Sequence, residues 1–105
     1  MMKGFMLDFS ASNAKALAAE ALLKDLAHAG RLMLLCEMVQ GERSVGYLVE
    51  KTGFSQSSVS QHLARLKQAG IVESRKQGQF VYYRLANMDV QAILSTLYLI
   101  FCRNE

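Results

Sequence analysis

Up to Gly70, apolar residues recur at spacings of three and four, the period of a helix with one buried stripe, and glycines cut the pattern into segments. Ser10 or Ser12 can cap a first helix running to about Ala27, with Leu17, Leu22, Leu23 and Leu26 among many alanines. Ala11, Ala14, Ala18 and Ala21 follow the same spacing, so one side of this helix is small enough for close packing. A second helix, from about Ala29 to Gln40, turns Leu32, Leu35 and Val39 inward and ends at Gly41. Ser44 then caps a short third helix whose stripe is Val45, Leu48 and Val49, and Gly53 breaks it. From Ser55 a fourth helix places Val59, Leu63 and Leu66 inward and stops at Gly70.

Beyond Gly70 the period changes. The segments IVESR and FVYYRL are rich in β-branched and aromatic residues and flank KQGQ, where Gly78 supplies the positive φ of a tight turn, so a hairpin is expected. Tyr82 and Tyr83 point to opposite faces of their strand, which makes at least one of them a core residue. Asn87 caps a last helix that is apolar nearly all round, from Val90 through Ile93, Leu94, Leu97 and Tyr98 to Cys102. Such a helix cannot leave a wide side in water, so part of it is expected to meet another subunit. The predicted order is α-α-α-α-β-β-α, mainly helical with a small β-hairpin wing, and residues 1–105 suit a single domain.

Composition narrows the class. With 51% hydrophobic and 20% charged residues the chain reads as folded, and its longest apolar runs fall far below the ~20 residues that cross a bilayer. The expectation is a cytoplasmic protein with its two cysteines reduced and no membrane partner. The net charge of +3 is concentrated: between Ser55 and Leu85, Arg65, Lys67, Arg75, Lys76 and Arg84 stand against the single acid Glu73. Charge alone leaves two readings open, a footprint for a polyanion or a solvated basic face.

The fourth helix bears on that choice. Serine is a mediocre helix former, yet four of the first six residues of SQSSVSQHLARL are serine. With Val59, Leu63 and Leu66 inward, Ser57, Gln61 and Gln68 face outward and Gln56, Ser60 and Arg65 flank them. Solvent faces usually carry Glu and Lys; small hydroxyl and amide side chains instead approach base edges, glutamine pairing with adenine through two hydrogen bonds. Residues 44 to 69 thus read as a helix-turn-helix with Ser55 at the start of its recognition helix, and the hairpin as its wing. Arg75, Lys76, Gln77 and Gln79 sit at or beside the wing turn, and Arg84 is a further phosphate contact. His28 and His62 read as hydrogen-bonded boundary histidines, and no nucleophile, base and orienting group occur together as an enzyme requires.

The run SQSSVSQHLARLKQAGIVESRKQGQFVYYRL resembles the recognition helix and wing of the ArsR/SmtB winged-helix repressors, and the element order extends that resemblance over nearly the whole chain. The resemblance implies a homodimer joined through the first and last helices, here Ala14, Leu17, Ala18 and Ala21 with Leu94, Tyr98 and Phe101. It also implies binding to double-stranded operator DNA in bacteria or archaea, with release by an inducer. Metal-sensing members carry Cys-x-Cys where this chain has Ser44 and Gly46, or Asp-x-His where it has Asp89 and Gln91, so no metal and no cofactor is expected.

Cys36 borders the inward stripe of the second helix and Cys102 lies near the end of the last; spacing alone reads both as small hydrophobes. The pair is similar, however, to that of the reactive-sulfur and redox branch of the family, that of BigR, SqrR and HlyU. There the two cysteines sense together by forming a disulfide or polysulfide bridge, which implies an inducer that is a reactive sulfur species or an oxidant. A metalloid sensor using both thiols, and a winged helix that binds protein rather than DNA, remain as alternatives.

Overall fold

The computed structural model describes residues 13–103, so the caps expected at Ser10 and Ser12, and Ala11, lie outside the described residues. Along the described chain the elements are α1 (Asn13–Leu26), α2 (Ala29–Glu37), β1 (Arg43–Ser44), α3 (Val45–Thr52), α4 (Gln56–Gln68), β2 (Val72–Gln77), β3 (Phe80–Leu85) and α5 (Met88–Phe101). The expected mainly helical winged fold is present, with one addition. Arg43 and Ser44 pair antiparallel with Tyr83 and Tyr82, so the hairpin becomes a three-stranded sheet in the order β1-β3-β2.

Local chemistry places the boundaries. Ser44 accepts from the Tyr47 N–H at 3.0 Å and Asn87 from the Asp89 and Val90 N–H groups at 2.9 and 3.2 Å, so these two expected caps are formed, and Ser55 caps α4 by accepting from the Ser58 N–H at 3.1 Å. α4 ends in a Schellman motif: Gly70 takes φ +76°, its N–H donates to Lys67, and the Ile71 N–H donates to Leu66 at 2.9 Å. The second helix stops at Glu37 rather than Gln40. Its tail tightens into turns in which Met38 donates to Leu35, Val39 to Cys36 and Gly41 to Met38.

The core joins α2, α3, α4, the start of β2 and α5 through Leu34, Leu35, Leu48, Val59, Leu63, Leu66, Val72 and Val90, with Ile71 just before β2. Because the stripe of α4 is fully buried, its opposite face must project outward. In the wing, Gln77 pairs with Phe80 across the two linking residues Gly78 and Gln79, and Gly78 has φ +62°. Tyr83 packs against the core, whereas Tyr82 lies under the Arg75 guanidinium on the other face.

Candidate nucleic-acid interface and thiol pair

α4 presents Gln56, Ser57, Ser60, Gln61, Arg65 and Gln68 to solvent. The side chains of Gln56, Ser57, Ser60 and Gln61 make no hydrogen bond or ion pair among the described residues, so their polar groups are unoccupied. Ser55 differs, since its hydroxyl is used in the cap. Between α4, the start of α3 and the wing lies an open groove of about 480 Å³, lined by Gly46, Glu50, Gln56, Ser60, Gln79 and Phe80 among others. Phe80 is 53% exposed beside the wing turn, a position that a reading centred on charge passed over.

The arginines of this face are not bare cations. Arg65 pairs with Asp25 at 3.2 Å, Arg75 with Glu42 at 2.8 Å, and Arg84 with Glu73. Arg75 also donates to Gln77, while Lys76 has no such partner among the described residues. The hydrogen bonds from Arg75 hold the Glu42 carboxyl below the usual carboxylate range, and the same contact pushes the arginine up. Asp25 and Glu42 stand 40 and 33 positions from their partners, and no local motif joins them.

Cys36 and Cys102 are both free thiols. Cys36 was expected to border the inward stripe; it is instead exposed, because Leu34, Leu35 and Met38 take the core-facing positions of this segment. Partial burial of its sulfur pushes the Cys36 thiol up, and the charges of Cys102 and Glu37 push it further. Cys102 is therefore near enough for its charge to disfavour ionisation of Cys36. Cys36 lines an open cavity of about 670 Å³ with Glu37, Arg43, Tyr47, Leu94 and Tyr98 among its walls. The thiol helix is fastened to β1 and α3 there: Arg43 Nε donates to the Glu37 carbonyl at 2.9 Å, and the Tyr47 hydroxyl donates to Glu37 Oε1 at 3.2 Å.

The two histidines have structural work. His28 Nδ1 accepts from the Gly30 N–H at 3.0 Å and so caps α2, and its ring lies 4.6 Å from that of His62 on α4. Arg31 completes the junction by donating to the Asp25 and Lys24 carbonyls at the end of α1. Desolvation lowers the His62 pKa from its ordinary 6.5, with the charges of His28 and Arg31 adding to the shift. The folded chain then binds fewer protons than the unfolded one, so this contribution to stability is full above pH 6.5 and is lost as pH falls through the lowered value. The melting temperature should drop between about pH 8 and about pH 5.5 more steeply in the wild type than in His62→Gln. Equal slopes would show that His62 is not coupled to folding.

On α1, Ala14, Leu17, Ala18 and Ala21 are exposed, as are Tyr98 and Phe101 on α5. Leu94 requires a correction: at 2% exposure it belongs to the chain's own core and is not available to a partner. Among the described residues, no three His, Cys, Asp or Glu side chains gather as a metal site, and no helix is long and apolar enough to cross a membrane.

Two helices joined at a glycine turn, an outward polar face on the second and a hairpin beside it define a winged helix-turn-helix regulator of transcription. The family model described as "Bacterial regulatory protein, arsR family" matches residues 28–74. The biofilm growth-associated repressor of Agrobacterium fabrum is 46% identical over 84 residues, covering 80% of this chain and 72% of that protein. The transcriptional activator HlyU of Vibrio cholerae is 36% identical over 102 residues, covering 97% and 94% of the two chains. The structure of reduced HlyU superposes with a TM-score of 0.80 at 38% identity, covering 93% of this chain and 100% of that one. The repressor BigR of Xylella fastidiosa superposes with a TM-score of 0.84 at 39% identity, covering 92% and 98%. The chain belongs to the ArsR family of bacterial transcriptional regulators, which are DNA-binding proteins and not enzymes.

Proposed function

We propose that this regulator binds palindromic operator DNA as a homodimer, through α4 and the wing, and leaves it when Cys36 and Cys102 become linked in response to reactive sulfur or an oxidant. The observation that carries the sensing half is the pair of free thiols, on α2 and just beyond α5, near enough for the charge of Cys102 to act on Cys36. The similarity to BigR and HlyU, the latter solved in a form named as reduced, supports the same reading. Linking two thiols releases two electrons and two protons. A hydroperoxide takes them up to become an alcohol and water; a hydropersulfide becomes a thiol and hydrogen sulfide.

The linkage acts as a clamp between two helices. A direct disulfide wants Cα atoms within about 7 Å, and inserted sulfur atoms let the same pair bridge a wider gap. Tightening α5 against α2 shifts the helix whose exposed apolar end forms the dimer contact. That alters the spacing of two recognition helices, which must meet major grooves ~34 Å apart.

Titration of a palindromic duplex at rising salt, before and after a hydropersulfide donor and again after a thiol reductant, tests the proposal. Affinity should fall linearly in log salt with a slope of about −0.9 per phosphate neutralised, drop on oxidation, and return on reduction. Zinc-driven release with the thiols still free would overturn the sensing half, and failure to bind any duplex would overturn the whole. Within the interface, Gln61→Ala should narrow the gap between operator and random duplex by ~1 to 3 kcal/mol, the worth of one bidentate base contact. An unchanged gap would remove Gln61 from base readout.

A further inference from the structure

Arg75 is the most heavily engaged cation of the wing. It lies on β2 opposite Tyr82 of β3, and Tyr82 in turn pairs with Ser44 of β1. The arginine side chain crosses that middle strand, its guanidinium 4.7 Å from the centre of the Tyr82 ring, and reaches Glu42 just before β1. There Nε and Nη2 donate to the two carboxylate oxygens at 2.8 Å each, and Nη1 donates to Gln77 Oε1 at 2.7 Å. Two oxygens taken by one guanidinium is also the geometry in which arginine takes a phosphate.

We propose that Glu42 is an intramolecular competitor for the DNA backbone: it holds Arg75 folded across the sheet, and a phosphate must displace it before this arginine can contribute to binding. The inference rests on the operator-binding reading above. Exchanging a carboxylate for a phosphate yields no net new ion pair at Arg75, whereas Lys76, unpaired among the described residues, meets the backbone without such an exchange. Backbone contacts carry no sequence information, so a restrained arginine weakens operator and random duplex alike. Glu42 thereby sets the overall affinity and its salt dependence, leaving discrimination to the face of α4.

The test compares Glu42→Gln with the wild type on operator and on random duplex across a salt series. The variant should bind both more tightly and steepen the log–log salt slope by about 0.9, so that its advantage shrinks about threefold between about 50 and about 200 mM salt. The same substitution is then made in an Arg75→Gln background, where there is no arginine to release. A gain clearly larger with Arg75 present supports competition. Equal gains in both backgrounds overturn it, because Glu42 would then act on DNA through its own charge alone. No gain in either also overturns it. Should Glu42→Gln disturb β1, seen as altered circular dichroism or sedimentation, Glu42→Ala provides the same readouts. A wild type that ignores duplex DNA removes this inference together with the reading on which it rests, an outcome distinct from either of the others.

Discussion

Serine in place of Cys36 or of Cys102 is expected to leave a protein that folds, dimerises and binds operator but no longer lets go when treated with reactive sulfur. The exchange replaces one sulfur by oxygen with little change in volume, and neither thiol belongs to the buried core. In the wild type the same treatment should join the two thiols within one chain. A coupling of only 1.4 kcal/mol between that link and the DNA-bound geometry already lowers affinity about tenfold. Each single variant can still gain a persulfide on its remaining thiol, without a bridge and without release. The environment of Cys36 adds a kinetic expectation. Burial, Cys102 and Glu37 all push its thiol up, so at neutral pH little of it is thiolate, the form that reacts. The rate of release should therefore climb about tenfold per pH unit between about pH 6 and about pH 8, while its final extent stays level. Mass spectrometry paired with operator titration reads both quantities. An unchanged response in both serine variants would sink the clamp.

How far the sequence reveals this molecule depends on whether a feature repeats within a few residues. α3 and α4 were legible because each has a capping serine, an apolar stripe and a terminal glycine, three signals that agree. β1 was not, since a strand of two residues has no alternation to read and exists only by pairing with Tyr82 and Tyr83. The tail of α2 carried helical periodicity to Val39, but the chain tightens there into turns that periodicity does not distinguish from a helix. The unoccupied amides and hydroxyls of α4 followed from the buried stripe on its other side. The carboxylates that hold Arg65 and Arg75 did not, because contacts across 40 and 33 positions are made by tertiary folding alone. α5 is a separate case. Its apolar residues surround the helix, so no pattern says which of them face the core, and Leu94 was assigned to the outer side for that reason.

That division within α5 leads to the last expected result, a contrast between two of its residues. Leu94 is 2% exposed and Phe101 73% exposed, with Tyr98 at 56% between them. Leu94→Ala would open a cavity in the protomer core, and such truncations cost ~2 to 5 kcal/mol, so the variant should melt well below the wild type. Phe101→Glu removes nothing from that core and should keep the helical circular dichroism of the wild type. If the end of α5 is the dimer contact, however, the new carboxylate is pressed against apolar surface, and a two-fold interface carries the change twice. An uncompensated buried charge costs about 3 to 5 kcal/mol, so the dimer should weaken by at least about two orders of magnitude. Sedimentation at micromolar concentration would then show monomer. Operator affinity should collapse with it, because a single recognition helix meets only one half-site and the second contact is no longer tethered to the first. A Phe101→Glu protein that remains dimeric and binds operator as the wild type does would place the interface elsewhere. Loss of the dimer in Leu94→Ala without loss of protomer stability would return Leu94 to the interface.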